Sequence, residues 1–216
     1  MNIIELFSGT GTISNIAAQK GHGTFSVDLR KRKGVCEPDL QADILKLNHS
    51  DLMSAIRARY STWDKTHIVW ASVPCTTFSY AAGDYHFSGT EPTSPEALEG
   101  IRLLKKTLKL IRELRPAYYF IENPQGRLRH LPVMLDWLCT NLGMTKKVTW
   151  GSYGFPTTKP TNIFTNAYGF QPRPLMAYGR GAKCKGNFNN LTVCQRQKIP
   201  ELFAVEFVEY CESLFN

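Results

Sequence analysis

The sequence has no apolar run long enough to cross a membrane, no internal repeat and no closely spaced cysteine pair. Its first residues, MNIIELF, lack the long apolar core of a signal peptide. The six cysteines are scattered, and the spacing of Cys184 and Cys194 matches no common zinc pattern. These absences predict a cytoplasmic protein with reduced thiols, no membrane partner and no metal.

The composition is that of an ordinary globular protein. With 216 residues, 43% of them hydrophobic and 20% charged, the chain suits one α/β domain or one domain with a small appendage. Its net charge of +8 favours an anionic partner, of which nucleic acid is the commonest, although many soluble proteins are basic.

Apolar runs alternate with segments of helical periodicity along most of the chain. Strands are predicted at residues 2–7, 24–28, 41–44, 67–71, 117–122, 145–150 and 161–166. Helices are predicted up to Lys20, over 50–60, 95–115 and 128–142, and after Pro200. Polar loops are predicted over 76–95 and 167–195. This alternation predicts a mostly parallel twisted sheet with helices on both faces.

Residue types that are common in catalytic and binding sites fall at the carboxyl ends of the predicted strands. In open α/β sheets this edge is where ligands bind. The positions concerned are Gly9, Asp28, Asp43, Cys75 and Glu122. Their convergence on one edge predicts a single functional site there.

The first strand is followed by a glycine loop, FSGTG, at residues 7–11. Glycines allow a tight turn and a close ligand approach, and the next helix offers free amides. The loop alone is equally typical of an ordinary strand-to-helix turn. Asp28 follows the glycine loop at the sequence separation expected of an acid that binds ribose hydroxyls. The loop and the acid together favour a nucleoside-binding site. Asp43 and Ile44 are candidates to contact the edge of the base of the bound nucleoside.

Cys75 and Glu122 each have a structural and a chemical interpretation. Cys75 is either a small buried hydrophobe or a nucleophile beside the stiff Pro74, and its neighbours leave both open. Glu122 closes a buried strand, where a carboxylate needs partners. It is either a cap or hydrogen-bonding group shared with Asn123, or a general acid with an environment-tuned pKa. The basic residues of 95–115 are interpreted as a solvated helix face.

The order of these motifs is specific: F-x-G-x-G, an acid, Pro-Cys, Glu-Asn, then YGFP at residues 153–156. Over almost the whole chain this order resembles the cytosine-C5 DNA methyltransferase family, most of all its small phage or prophage members. The resemblance implies a Rossmann-like class I methyltransferase fold in one domain, residues 1–216. It also implies the cofactor S-adenosyl-L-methionine, and a cytoplasmic location in a bacterium or a phage-infected host.

The resemblance implies a role for each site residue. Asp28 would bind the ribose of the cofactor, with Leu29 packed on an adenine that Asp43 and Ile44 receive. The cofactor-binding residues implied are Phe7, Ser8, Gly9, Thr10, Gly11, Thr12, Asp28, Leu29, Asp43, Ile44 and Pro74.

The resemblance also implies the catalytic residues. Cys75, held by Pro74, would attack C6 of a cytosine that Glu122 binds at N3 and the amino group. Asn123 would brace the Pro-Cys turn, Ser79 and Asn123 would contact the substrate, and residues 76–95 would be a mobile loop closing over the flipped base. Cysteine addition activates C5 towards the cofactor's methyl group.

The sequence departs from the family after YGFP. Where the family has Gln-x-Arg-x-Arg, this chain has TTKPT, so that Lys159 and Thr161 stand in place of the two arginines. Lys159 remains a catalytic candidate, although a lysine lacks the planar fork of arginine. The large recognition region is reduced to 167–195, which predicts a short or relaxed target sequence or help from a second subunit.

The predicted partner is double-stranded DNA, bound by a monomer or a homodimer. Three alternatives stay open: RNA such as tRNA, a free cytidine nucleotide, and a non-catalytic nucleic-acid-binding relative.

Overall fold

The computed structural model describes residues 1–30, 37–175 and 190–215. Strands in these ranges are β1 (Asn2–Leu6), β2 (Gly23–Asp28), β3 (Leu40–Gln41), β4 (Ile68–Ser72), β5 (Phe87–Ser88), β6 (Glu91–Pro92), β7 (Tyr118–Pro124), β8 (Met144–Thr149) and β9 (Pro160–Thr165). Helices there are α1 (Thr12–Gln19), α2 (His49–Arg59), α3 (Pro95–Leu114), α4 (Pro132–Thr140), α5 (Val193–Gln197) and α6 (Glu201–Ser213). Short 3₁₀ helices cover Tyr80–Ala82, Arg127–His130 and Trp150–Tyr153.

Seven strands form one sheet in the order β3-β2-β1-β4-β7-β9-β8. The five strands from β3 to β7 in this order are parallel, and β9 runs antiparallel to both β7 and β8. The prediction of a mostly parallel sheet is therefore confirmed, with β9 as the reversed strand. Because β9 is reversed, its first residue lies at the carboxyl edge of the parallel strands.

Helices cover both faces of the sheet, as predicted. Successive residues of β1 point to opposite faces, so that Ile3 and Ile4 are both fully buried but belong to different cores. One core packs α2, α3 and α4 against the sheet, and the other packs α1 and α6. Both faces of the sheet are therefore covered by packed side chains, so a ligand can reach the sheet at its edges.

Helix α3 begins and ends at residues that the sequence marks as helix ends. Its N-cap Ser94 accepts a hydrogen bond from the backbone N–H of Ala97, and Pro95 occupies the first turn. The helix ends at Arg115, whose backbone is left-handed. The predicted helix over 95–115 is confirmed to within one residue.

Four predicted elements are wrong in detail. The third strand stops at Gln41, so Asp43 and Ile44 lie in the following turn, where the Asp43 carboxylate accepts a hydrogen bond from the Leu45 N–H at 2.9 Å. The predicted helix over 128–142 is divided, because Pro132 lacks the N–H to continue a helix and instead begins α4.

The two predicted loops also contain regular structure. The loop over 76–95 contains a 3₁₀ turn and the small β5–β6 pair. The loop over 167–195 contains the start of α5, and its residues 176–189, including Cys184, lie outside the described residues.

Candidate active site

The carboxyl edge of the sheet brings the predicted site residues together. Strands β4 and β7 are paired so that Ser72 lies opposite Glu122, and Cys75 follows Ser72 after a short turn. The glycine loop after β1 and Asp28 at the end of β2 occupy the same edge. One edge of the sheet therefore carries a thiol, a buried carboxyl and a glycine loop.

The glycine loop turns sharply through left-handed backbone. Phe7, Gly9 and Gly11 have φ values of 57°, 53° and 65°. For the two glycines this conformation carries no steric penalty, whereas Phe7 is a non-glycine residue in a strained region that is commonest at functional sites. Helix α1 starts at Thr12, immediately after the loop, and the Ser14 N–H of its first turn donates to the Glu5 carboxylate below the loop.

Asp28 braces this loop from the neighbouring strand. One carboxylate oxygen accepts a hydrogen bond from the Gly9 N–H at 2.9 Å, and the other accepts one from the Arg30 N–H at 2.9 Å. Each oxygen keeps a second lone pair, so Asp28 can still bind a ribose hydroxyl. The next residue, Leu29, is 56% exposed and provides an apolar surface beside the loop.

The loop has room and polarity for a nucleoside cofactor. The Ser8 hydroxyl is buried and has no hydrogen-bond partner among the described residues, which is the state of a group that awaits a ligand. Thr10 and Thr12 share a hydrogen bond between their hydroxyls at 2.9 Å. Pro74 is exposed, whereas the Ile44 side chain is only 3% exposed, so Ile44 could meet a cofactor through its backbone alone.

Glu5 is a buried acid beneath the loop that the sequence interpretation missed. One of its carboxyl oxygens accepts hydrogen bonds from the Ser14 N–H at 2.8 Å and the Ser14 hydroxyl at 2.5 Å, which ties β1 to the first turn of α1. The pKa of Glu5 is raised from 4.5 to about 7, mainly by burial and also by the nearby Asp28, while the hydrogen bonds from Ser14 oppose the shift. The signal was present: an acid inside the otherwise apolar run NIIELF.

Glu5 should make folding stability depend on pH. Its pKa is higher in the folded chain than in the unfolded chain, so its contribution is complete below about pH 4.5 and is lost as the pH rises towards about 7. The loss is at most about 3.5 kcal/mol, because one unit of pKa difference corresponds to about 1.4 kcal/mol. Glu5→Gln should remove this decline, as measured by denaturant unfolding at pH 5 and pH 8.

The control for this measurement is Glu113→Gln, which alters an exposed glutamate on α3. It should leave the pH dependence of the wild-type chain unchanged. A parallel pH dependence in Glu5→Gln and the wild type would contradict the assignment.

The turn that carries Cys75 is held by hydrogen bonds on both sides. The Asn123 side-chain amide donates to the Val73 carbonyl at 2.8 Å, and the N–H groups of Phe78 and Ser79 donate to the Cys75 carbonyl at 3.1 and 3.0 Å. Asn123 thus makes the contact expected of a brace for the Pro-Cys turn. Cys75 itself is partly buried and is a free thiol.

Electrostatic coupling links Cys75, Glu122 and Lys159. Burial raises the pKa of Cys75, the negative charge of Glu122 raises it further, and Lys159 opposes both effects. Burial also raises the pKa of Glu122, which is only 7% exposed, while Lys159 and the Ser72 hydroxyl lower it. The three groups therefore act on one another across one small cleft.

Lys159 lies immediately before the reversed strand β9. Its ammonium donates to the Arg196 carbonyl at 2.5 Å and lies 5.4 Å from the centre of the Phe155 ring. Its φ of 34° is unusual for a residue with a side chain. Thr161, in the place of the family's second arginine, is fully buried in β9 and donates to the Lys159 carbonyl at 3.2 Å.

The segment after Cys75 is anchored at several points. Ser79 forms a bridge with Gly126, where a Cβ atom would lie 2.0 Å from the Phe78 carbonyl oxygen, so only glycine allows this approach. Phe78 and Phe87 are buried in the core. The Arg127 guanidinium pairs with Asp84. Closure of this segment over a base stays a prediction.

The described ranges are residues 1–30, 37–175 and 190–215. In these ranges no helix combines the length and the apolar character that a membrane span requires. Likewise, no group of three or more His, Cys, Asp or Glu side chains within them is arranged to hold a metal ion.

Comparison with known proteins places this arrangement in context. A family model described as C-5 cytosine-specific DNA methylase matches residues 1–135. A frog virus 3 (isolate Goorha) protein named as a DNA (cytosine-5)-methyltransferase is 28% identical over 179 residues, covering 80% of this chain and 74% of that protein. Cys75 and Glu122 lie within the range that the family model matches.

Solved structures share the fold. An E. coli prophage-encoded protein assigned as a DNA modification methyltransferase superposes with a TM-score of 0.54 at 19% identity, over 76% of this chain and 46% of that chain. The Entamoeba histolytica methyltransferase EhMeth gives 0.51 at 17% identity, over 76% and 52%. The chain thus spans about half the length of these structures, and the Rossmann-like class I methyltransferase fold is confirmed.

Proposed function

The chain belongs to the C-5 cytosine-specific DNA methylase family, and on this premise we propose that it transfers a methyl group from S-adenosyl-L-methionine to carbon 5 of cytosine in DNA. The observation that carries the proposal is the placement of Cys75, just after β4, beside Glu122 of the paired strand β7, at the sheet edge that also holds the glycine loop. A thiol beside a buried carboxyl is the pair that covalent activation of a pyrimidine requires.

The charge state of the cleft supports this chemistry. Because burial raises the pKa of both groups, the cleft favours one negative charge shared by Cys75 and Glu122 over two. A thiolate beside a carboxylic acid has the same total charge as a thiol beside a carboxylate, and it is the reactive arrangement. The Lys159 ammonium stabilises whichever group carries the charge.

In the proposed reaction Cys75 and Glu122 each act on the cytosine and are restored at the end. The Cys75 thiolate adds to C6 of the cytosine, forming an S–C6 bond, while Glu122 gives its proton to N3. The ring becomes an enamine whose C5 is nucleophilic. After C5 is methylated, a base removes the C5 proton, the S–C6 bond breaks, and Glu122 recovers the N3 proton. The aromatic ring and both protein groups are thereby restored.

The glycine loop supports the choice of cofactor. S-adenosyl-L-methionine, when bound, supplies an electrophilic methyl group. Phe7, Gly9 and Gly11 would hold it, with Asp28 at the ribose and Leu29 on the adenine. The buried Ser8 hydroxyl is a free polar group for the same ligand.

A duplex hides the faces of its bases, so the target must leave the stack at a cost of a few kcal/mol. We expect a monomer or a homodimer to act on double-stranded DNA in the cytoplasm, with residues 167–195 as the recognition segment. This segment is short, which keeps RNA and a free cytidine nucleotide as second candidates.

Product analysis separates these substrates. The full chain is incubated with labelled S-adenosyl-L-methionine and, in parallel, with duplex DNA, tRNA or dCMP, and the products are digested and identified by mass spectrometry. We expect labelled 5-methyldeoxycytidine from DNA alone. Label in tRNA or dCMP alone would replace the substrate and keep the chemistry. Cofactor binding without any product would indicate a non-catalytic relative.

A further inference from the structure

The 3₁₀ helix Arg127–His130 contains two arginines with opposite surroundings. Arg127 pairs with Asp84 and also donates to the carbonyls of Gly83 and Gly89, at 3.4 and 3.2 Å. Its charge is therefore neutralised within the protein, and its role is to anchor the segment that follows Cys75.

Arg129 is fixed in place but not neutralised. Its Nε donates to His130 Nε2 at 2.8 Å, and its Nη2 donates to the Tyr80 hydroxyl at 3.2 Å. Neither bond is to a carboxylate, and no carboxylate pairs with Arg129 in the part of the chain that the structure describes. The remaining guanidinium N–H groups are free to bind an anion.

Both supports of Arg129 come from segments that carry the candidate catalytic groups. The 3₁₀ helix directly follows β7, which contains Glu122, and Tyr80 lies shortly after Cys75 on the segment bridged to Gly126. Tyr80 is 53% exposed, so the pair lies at the surface. Arg129 is therefore a cation held at the rim of the cleft.

The basic residues in the later turns of α3 lack this position. Helix α3 begins at the carboxyl edge and runs towards the start of β7, so Lys109 is about 20 Å farther along its axis than Pro95. Lys109 also lies 3.8 Å from Glu113. These features agree with the interpretation of α3 as a solvated basic face.

We propose that Arg129, held by Tyr80 and His130, binds a backbone phosphate of the DNA beside the target cytosine. The inference rests on DNA as the substrate of the proposed function. A guanidinium suits a phosphate because its planar N–H fork matches two oxygens, and a cation fixed beforehand loses little entropy on binding. The contact positions the duplex and carries no sequence information.

The test measures DNA binding rather than methylation. Binding of a fluorescein-labelled duplex of mixed sequence is followed by anisotropy from low to physiological salt, for the wild type, Arg129→Gln and Arg129→Lys. Loss of one phosphate contact should lower the slope of log K against log salt by about 0.9 and weaken binding about fivefold in Arg129→Gln. Arg129→Lys should retain the slope.

The matched control is Lys65→Ala, which removes an exposed positive charge just before β4, at the opposite edge of the sheet. It should leave the slope unchanged. The proposal is overturned if Arg129→Gln keeps the wild-type slope, if Lys65→Ala lowers it equally, or if the wild type does not bind duplex DNA. Thermal melting of each variant separates these results from misfolding.

Methyl transfer is assayed separately, so the two proposals fail independently. A wild type that binds DNA through Arg129 but transfers no methyl group would refute the proposed function and leave the phosphate contact intact. A chain that methylates DNA with an unchanged slope in Arg129→Gln would refute the contact alone.

Discussion

Cys75→Ala should reduce methyl transfer to DNA by about 10⁴-fold or more, because covalent activation of C5 is lost with the nucleophile. Cys75→Ser should be nearly as inactive, since a hydroxyl is far harder to ionise than a thiol. Neither variant should lose DNA or cofactor affinity to a comparable extent, because the thiol contacts only the reacting ring. Initial rates with labelled cofactor under saturating conditions measure the effect.

A trapping experiment gives the same prediction a direct readout. In the presence of S-adenosyl-L-methionine, duplex DNA with 5-fluorocytosine at target sites should form a stable covalent complex with the wild type, since after methyl transfer the fluorine at C5 cannot leave as a proton does. Mass spectrometry should locate the adduct on Cys75. The matched control is Cys139→Ala, which removes an exposed thiol on α4 and should leave rate and adduct unchanged. An adduct formed by Cys75→Ala, or undiminished transfer, would contradict the mechanism.

Glu122→Gln should lower kcat by about 10² to 10³-fold, because the amide can hold the base but cannot give a proton to N3. KM for DNA should change much less. Folding stability should be equal or higher than in the wild type, since burial disfavours the charged carboxylate and the variant has no charge to bury. A large loss of stability together with activity would indicate a structural role instead.

The pH profile separates a proton donor from a structural acid. In the wild type, kcat should rise and then fall with pH, with apparent pKa values that belong to the Cys75–Glu122 pair. The alkaline fall arises because Glu122, although its pKa is raised by burial, must keep its proton to donate it. Glu122→Gln should show a single rise with pH, set by the Cys75 thiol alone, and no alkaline fall. A bell-shaped profile in this variant would assign the alkaline limb to another group.

The long strands and helices could be predicted from local sequence patterns. Strand β4 and helix α3 combine apolar periodicity with clear ends, and both were predicted closely. The β5–β6 pair could not be predicted, because strands of two residues have no periodicity and depend on the burial of Phe87 in the core. The division before α4 was readable from Pro132, whose signal was overlooked.

The site was predictable where it depends on strand ends. Cys75, Asp28 and Glu122 converge because parallel strands present their carboxyl ends to one edge. Glu5 was missed because it lies inside its strand, where the apolar run concealed it. The arginines of the 3₁₀ helix were missed because their partners are distant in sequence, as Asp84 is from Arg127. Such pairings follow from tertiary structure alone.

The pairing of β4 with β7 fixes the spacing between Ser72, three residues before Cys75, and Glu122. Ser72 and Glu122 are neighbours in the ladder, at a strand spacing of about 4.8 Å that backbone hydrogen bonds maintain. Shape selection for a single six-membered ring would then reside in the scaffold, independent of the surface loops. Retargeting the protein by exchanging residues 167–195 should change which sequences are modified while leaving the pyrimidine requirement intact.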